Sequence, residues 1–202
     1  MEEIQGLDAL SDEVLMEHLQ NGDSAAFQVL VNRYKGRIVA YLHRTVRSRE
    51  LAEDIAQEAF LRVYTKSHTF RTSASFSAWF YRIATNLAIN ELRRRKRVRF
   101  ISMEKPIVTD SGDQFTREFE DEGERGPSEN LEQRELQAEV ARAVAELPVK
   151  YRVAFVLREI QGFSYQKISE VVGAPMGTIK SRVNRARLQF RDSMAPYVEA
   201  EG

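Results

Sequence analysis

Apolar side chains recur at helical spacing through most of residues 11–98 and again from residue 131 onward. Ser11 or Asp12 is placed to cap a short helix carrying Val14, Leu15 and Leu19, which closes near Asn21 and Gly22. From Asp23 a longer helix carries Phe27, Leu30, Val31, Tyr34, Ile38, Tyr41 and Leu42 on one face. Ser48 opens a third, with Ala52, Ile55, Ala56, Ala59 and Val63 as its buried stripe. On its other side Asp54, Gln57, Glu58 and Leu61 fall at i, i+3, i+4 and i+7. That acid-amide patch suits plain solvated surface or a docking face for a basic partner helix, and composition does not choose between them.

A Ser/Thr-rich stretch without periodicity follows and reads as a loop. The next helix, at 76–97, sets Phe76, Trp79, Phe80, Ile83 and Leu87 inward. Beside that face run Arg82, Asn86, Ile89 and Arg93, ending in the block R-R-R-K-R at 93–97. Phosphate contacts are the natural use of such a basic stripe. The neighbouring loop holds Phe70, which is placed to receive an unstacked base.

From 99 to 130 the chain turns acidic, Gly- and Pro-containing and poor in apolar residues, the composition of a flexible linker. Phe115 and Phe119 are its only hints of something that docks. The helical pattern returns with Leu136, Val140, Val144 and Leu147 on one face, then a helix start at Pro148. Val153, Phe155, Val156, Leu157 and Ile160 are expected in a second core.

The stretch 163–190 is expected to fold as two short helices around a tight turn. Ser164 caps the first helix, and Gly173 can take the left-handed conformation that ends it. Pro175 prevents its continuation, and Gly177 and Thr178 open the second. Ile179, Val183, Ala186 and Phe190 share one face of that second helix. Thr178, Ser181, Asn184 and Arg185 share the opposite face, flanked by Lys180, Arg182 and Arg187. Between residues 162 and 191 the single acid, Glu170, stands against six basic residues. A helix of this kind suits the major groove, as in a DNA-reading helix-turn-helix. The Gly pattern at 173–181 lacks the Gly-Lys pair of a phosphate-binding P-loop, so no nucleotide site follows from it.

Composition changes this picture little. The formal net charge of +0 hides basic clusters at 93–97 and 180–191 set against acids at 110–132. With no cysteine there is neither a disulfide nor a thiolate metal site, and His18, His43 and His68 are too scattered to form a ligand pair. No apolar run approaches membrane-spanning length and the acidic N-terminus is no signal peptide, so a cytoplasmic chain without direct membrane insertion is expected. No catalytic constellation and no cofactor motif is visible. Tyr41 and Tyr81, the tyrosines weighed as nucleophiles of a recombinase-like enzyme, have mainly apolar neighbours.

Three motifs carry a family resemblance: D-I-A-Q-E-A-F-L at 54–61, F-S-A-W-F-Y-R-I-A-T-N at 76–86, and G-A-P-M-G-T-I-K-S-R-V-N-R-A-R at 173–187. In this order they resemble bacterial RNA polymerase sigma factors of the small extracytoplasmic-function (ECF) group. The resemblance implies an all-α protein of two small helical domains. One at 1–98 would bind core polymerase and melt the minus-10 element; the other, a helix-turn-helix at 131–202, would read the minus-35 element, with the acidic linker at 99–130 between them.

It also implies roles. Asp54, Gln57, Glu58 and Leu61 would dock on the coiled coil of the largest polymerase subunit. Phe70 and Ser73 of the loop would capture a flipped minus-10 base together with Asn86 and Asn90, with Arg82, Arg93 and Arg94 on phosphates. Thr178, Lys180, Ser181, Asn184 and Arg185 would read the minus-35 box, supported by Arg182 and Arg187. The partners implied are core RNA polymerase (coiled coil and flap), promoter DNA and an anti-sigma factor of the membrane-anchored kind, in a stress or envelope response. The alternative is a free-standing helix-turn-helix regulator. Two departures from the family pattern stand on the packing side: Ser169, and Ala174 in the turn.

Overall fold

The computed structural model describes residues 6–103 and 131–200, and every regular element among them is helical. The first module comprises α1 (Asp12–Gln20), α2 (Ser24–Val46), α3 (Arg49–Thr65), a single 3-10 turn (Ser67–Thr69) and α4 (Phe76–Met103). The second comprises α5 (Leu131–Glu146), α6 (Val149–Phe155) running into a π-helical turn (Val156–Ile160), α7 (Tyr165–Val172) and α8 (Met176–Ala200).

The helix starts follow the local code. The Ser11 hydroxyl accepts from the Val14 amide at 3.3 Å, and the Asp23 carboxylate from the Ala25 amide at 2.9 Å. The Ser48 hydroxyl accepts from the Leu51 amide at 3.2 Å. Each such cap satisfies a helical N–H that would otherwise lack a partner, and contributes about 1 kcal/mol. The core of this module is aromatic. The Phe80 ring, fully buried, lies 4.8 Å from Phe60, 5.6 Å from Tyr34 and 5.7 Å from Phe76, centroid to centroid.

In the second module Ile168 and Val171 of α7 pack with Ile179, Val183 and Ala186 of α8, and all five are buried. Gly173 ends α7 with φ at 68°, a left-handed conformation that a Cβ would strain. Ser169 then has a role that an apolar residue would lack, because its hydroxyl donates to the Ala174 carbonyl at 2.6 Å and closes the turn.

The two modules pack on each other, α7 lying against α4. The Tyr81 hydroxyl donates to Gln161 Oε1 at 2.7 Å, and its ring meets that of Phe163 at 4.9 Å. Lys167 Nζ donates to Ser77 Oγ at 2.6 Å. Arg152, only 6% exposed, joins the modules through a carbonyl pair. Its Nε and Nη2 donate to the Leu147 carbonyl at 3.2 and 3.0 Å, while Nη1 reaches the Thr45 carbonyl at 3.0 Å.

Four expectations need correction or placing. The helix expected to stop at residue 97 continues to Met103. From residue 104 the acidic linker lies outside the described residues, as do Phe115 and Phe119. Leu136 is 42% exposed rather than core, because the first turns of α5 project past the module. Ile160 is 41% exposed because the π turn breaks the 3.6-residue register: the Gln161 amide bonds to the Val156 carbonyl five residues back, which rotates Ile160 outward.

Replacing Arg152 by Ala removes a buried cation and leaves the Leu147 and Thr45 carbonyls without their donor. Urea unfolding is expected to lose about 2–3 kcal/mol, the range for a charged hydrogen-bonding group, and Arg152→Lys to recover part of it. An unchanged urea midpoint for Arg152→Ala would refute this role.

Candidate functional site

The loop between α3 and α4 is held at both ends by α1. Gln20 Nε2 donates to the Ser67 carbonyl at 2.8 Å and the Phe70 carbonyl at 3.0 Å. At the far end Glu13 Oε1 accepts from the Phe76 amide at 2.9 Å, so a carboxylate 63 positions away caps α4. A negative group there also suits the positive end of the helix dipole. Between these clamps residues 71–75, Ser73 among them, are exposed. Phe70 is not. Its ring is 5% exposed and packs 5.2 Å from Trp79 and 6.0 Å from Phe76. In this arrangement it shapes the loop from beneath and presents no face to a base.

Past the loop, α4 displays Arg82, Asn86, Asn90 and Arg93 on one exposed row. Its opposite side is anchored by Thr85, fully buried, whose hydroxyl donates to the Tyr81 carbonyl at 2.6 Å and meets the Tyr41 hydroxyl at 2.7 Å. Burial pushes the Tyr81 phenol up to about 12 and the Tyr41 phenol well above its usual range. Both rings are buried, in keeping with the mainly apolar neighbours expected for them. Arg94 is less free than its neighbours in the basic block. It donates twice to Glu91, at 2.7 Å each, and Arg95 donates to the same carboxylate at 2.9 Å. These hydrogen bonds hold Glu91 down at about 2. Arg82 and Arg93 have no ion pair among the described residues.

On α3, Asp54, Gln57 and Leu61 stand exposed, Leu61 at 56%. Glu58 is half-buried and receives Arg62 Nε at 2.8 Å. Tyr64, one turn beyond Leu61 and 50% exposed, extends the same face. It was not among the residues expected on that face. Its ring leans on Phe27 at 5.2 Å and leaves the other side in solvent.

On α8 the predicted reading face is open. Thr178, Lys180, Ser181, Asn184, Arg185 and Arg187 are exposed, and Arg182 is half-buried. Two guanidinium groups are engaged within the module, Arg185 with Tyr151 at 3.2 Å and Arg187 with Glu159 at 2.7 Å. The carboxylate beside Arg187 raises that group further above its ordinary value. Leu188, 50% exposed, lies one turn beyond Arg185 and was not singled out from the sequence. Apart from Phe70, the predicted residues thus lie on three separate faces. Among the described residues no group of three His, Asp or Glu side chains is placed to hold a metal ion.

Comparison with known proteins places the chain in a family. The family model for Sigma-70 region 2 matches residues 30–98, and that for Sigma-70, region 4 matches residues 137–190. The chain is 36% identical over 193 residues to the ECF RNA polymerase sigma-E factor of Escherichia coli, covering 94% of this chain and 97% of that one. It is 34% identical over 187 residues to the RNA polymerase sigma-H factor of Pseudomonas aeruginosa, covering 93% and 95%. Its fold is similar to the sigma factor RpoE of Bartonella quintana solved with the anti-sigma factor NepR, with TM-score 0.65, 23% identity and coverage of 84% and 96%. It is likewise similar to CnrH solved with the cytosolic domain of CnrY, with TM-score 0.65, 20% identity and coverage of 95% and 99%.

Because Phe70 lies beneath the loop, Phe70→Ala is expected to act on stability before any ligand is present. A loss of about 3–4 kcal/mol is expected from thermal or urea unfolding of the free chain. A variant as stable as the wild type would return Phe70 to the surface.

Proposed function

Since the chain belongs to the sigma-70 family of RNA polymerase sigma factors, in the extracytoplasmic-function group, we propose that it is a promoter-specificity subunit. It binds core RNA polymerase, selects promoters by their minus-10 and minus-35 elements, and helps separate the strands; the polymerase carries out the chemistry. The observation that carries this reading is the pairing, on two modules, of two different polar reading surfaces. One is an Asn/Arg row beside an exposed loop, suited to single-stranded bases. The other is a helix-turn-helix with Ser, Asn and Arg outward, suited to a duplex major groove. A free-standing operator-binding regulator has no use for the first of these.

The roles are those the family resemblance implies, and the exposures support them. Asp54, Gln57, Glu58 and Leu61, with Tyr64, form the docking face for the coiled coil of the largest subunit, and the second module meets the flap. Ser73 and its exposed neighbours, Asn86 and Asn90 handle the minus-10 strand, with Arg82 and Arg93 on phosphates and Arg94 engaged through Glu91. Thr178, Lys180, Ser181, Asn184 and Arg185 face the minus-35 box, with Arg182 and Arg187 at its flanks. Residues 1–98 and 131–202 act as the two domains, and the acidic segment at 99–130 joins them. The chain works in the cytoplasm under an anti-sigma factor anchored in the membrane, in a stress or envelope response. Among its own described residues no helix is long and apolar enough to cross a membrane.

Geometry adds one requirement. Two contacting modules, each with a radius of gyration near 13 Å, hold their outer faces within about 70 Å of one another. By their names the minus-10 and minus-35 elements are centred about 25 base pairs apart, roughly 85 Å of straight duplex at about 3.4 Å per base pair. The seam between the modules must therefore part when both elements are read together.

Two measurements test this reading. In transcription by bacterial core polymerase from pooled genomic fragments, discrete new starts are expected only with this chain present. Reversing Asp54 and Glu58 to Lys is expected to abolish them and holoenzyme assembly alike, while leaving the circular dichroism unchanged. Starts unaffected by the double reversal would refute the docking face, and DNA retention by the chain alone without new starts would favour the operator-binding regulator. Separately, the chain has no native cysteine, so dyes placed at Glu50→Cys and Gln189→Cys report one distance. Energy transfer is expected to fall on formation of the promoter complex; constant transfer would mean that the modules stay packed.

A further inference from the structure

Two guanidinium groups of the recognition helix are held from outside it, and the holders differ in charge. Arg185 Nη1 donates to the hydroxyl of Tyr151, in the first turn of α6, at 3.2 Å. Lys150 Nζ lies 4.9 Å from the centroid of the same ring. Arg187 instead donates to one carboxylate oxygen of Glu159, through Nε at 3.1 Å and Nη2 at 2.7 Å. The positions differ as well. At 100° per residue Arg185 shares the outward row with Ser181 and Asn184, whereas Arg187 lies beside the buried line of Ile179, Val183 and Ala186.

We propose that Tyr151 is a positioning residue for reading the minus-35 element, fixing the guanidinium of Arg185 in the orientation that meets a base edge, while Glu159 keeps Arg187 as a strut of the module. This rests on the sigma-factor reading above and assigns parts within its duplex-reading face. The chemistry of the two holders makes the division. A phenol oxygen occupies one of the five guanidinium N–H groups and neutralises none of the charge. Arg185 so held keeps a parallel pair of donors for the O6 and N7 acceptors of a guanine, the geometry on which bidentate reading depends.

Holding a long side chain in place before the DNA arrives also removes part of the ordering cost that binding would otherwise carry. Arg187 meets a full negative charge at hydrogen-bond distance. That carboxylate offsets the charge Arg187 would bring to a phosphate, and the pair ties α8 to the π turn. The Tyr151 phenol lies below its ordinary range, first because of the Arg185 hydrogen bond, in keeping with an oxygen that accepts from a cation. Lys150, over the same ring, extends the basic edge of the module beyond the recognition helix.

The test uses the full chain assembled with core polymerase and measures binding to two promoters, one matched and one with its minus-35 box scrambled, across a series of salt concentrations. Tyr151→Phe keeps the ring and removes the oxygen. It is expected to lower the matched-over-scrambled ratio about fivefold, with the slope of log K against log salt unchanged because no phosphate contact is lost. Arg185→Ala is expected to lower the ratio by at least as much. In the double variant the Tyr151 change is expected to have no further effect. A ratio unchanged in Tyr151→Phe but lowered in Arg185→Ala would overturn the positioning role and leave the base-reading role of Arg185 standing. Equal weakening on both promoters in Tyr151→Phe would overturn it too, because a general packing role has that signature. A ratio unmoved by Arg185→Ala would remove the base-reading premise and this inference with it.

Discussion

The meeting of the two modules turns on where one buried guanidinium finds its negative partners. Among the described residues Arg152 faces no carboxylate. Its three donors go to the Thr45 carbonyl in the last turn of α2 and the Leu147 carbonyl just past the end of α5. Those are the regions where helix carbonyls lack intrahelical partners and the dipole is negative, so two helix ends together do the work of a counter-ion. The arrangement still costs something, since burial and, secondarily, the nearby Arg47 depress the Arg152 guanidinium to about 10. It remains a cation at physiological pH, and its planar fork reaches both carbonyls at once, which an ammonium group does less well.

A second constraint is that charge acts locally in this chain. The formal net charge is zero, yet each basic cluster behaves according to its nearest acid. Glu91 engages Arg94 and Arg95, and Glu159 engages Arg187, while Arg82 and Arg93 face solvent without an ion pair among the described residues. Beyond a Debye length, about 8 Å at physiological salt, exposed charges are largely screened. Distant acids therefore do not cancel an exposed reading row, whereas an acid within hydrogen-bond reach in the fold does. Counting charges along the sequence overstates how many arginines are available to nucleic acid; the pairings correct the count.

What could be read from sequence was what local chemistry determines. Of the two candidates Ser11 and Asp12 it is Ser11 that caps, Ser48 and Ser164 cap as expected, Gly173 takes the left-handed turn, and the polar rows on α3, α4 and α8 lie outward. Residues that depend on distant contacts could not be placed this way. Phe70 reads as loop until Trp79 and Phe76 close over it. Gln20 and Glu13 read as surface polar groups, yet they fix the two ends of that loop across 50 and 63 positions of chain. Ile160 had the right period for core, and one inserted π turn rotated it out. Tyr81 and Arg152 carry no local mark of being seam residues, because Gln161, which Tyr81 meets, and the Thr45 carbonyl, which Arg152 meets, each lie on the opposite module. Ser169, a departure from the expected apolar pattern, is explained only once the Ala174 carbonyl is seen beside it.

The composition of the seam bears on how firmly the modules are joined. It joins them by the Tyr81–Gln161, Lys167–Ser77 and Arg152–Thr45 hydrogen bonds, with the Tyr81 and Phe163 rings as its aromatic contact. Each of these polar groups can be satisfied by water if the modules part, so separation replaces hydrogen bonds instead of forfeiting them. Interfaces between domains of one chain are commonly of this polar kind and permit relative motion. None of the residues in these contacts belongs to the docking face, the Asn/Arg row or the outward face of α8. A seam that covered one of those faces would have to be broken before any contact with polymerase or DNA. This one constrains only the distance between faces that are already open, so a first contact through any of them can precede separation.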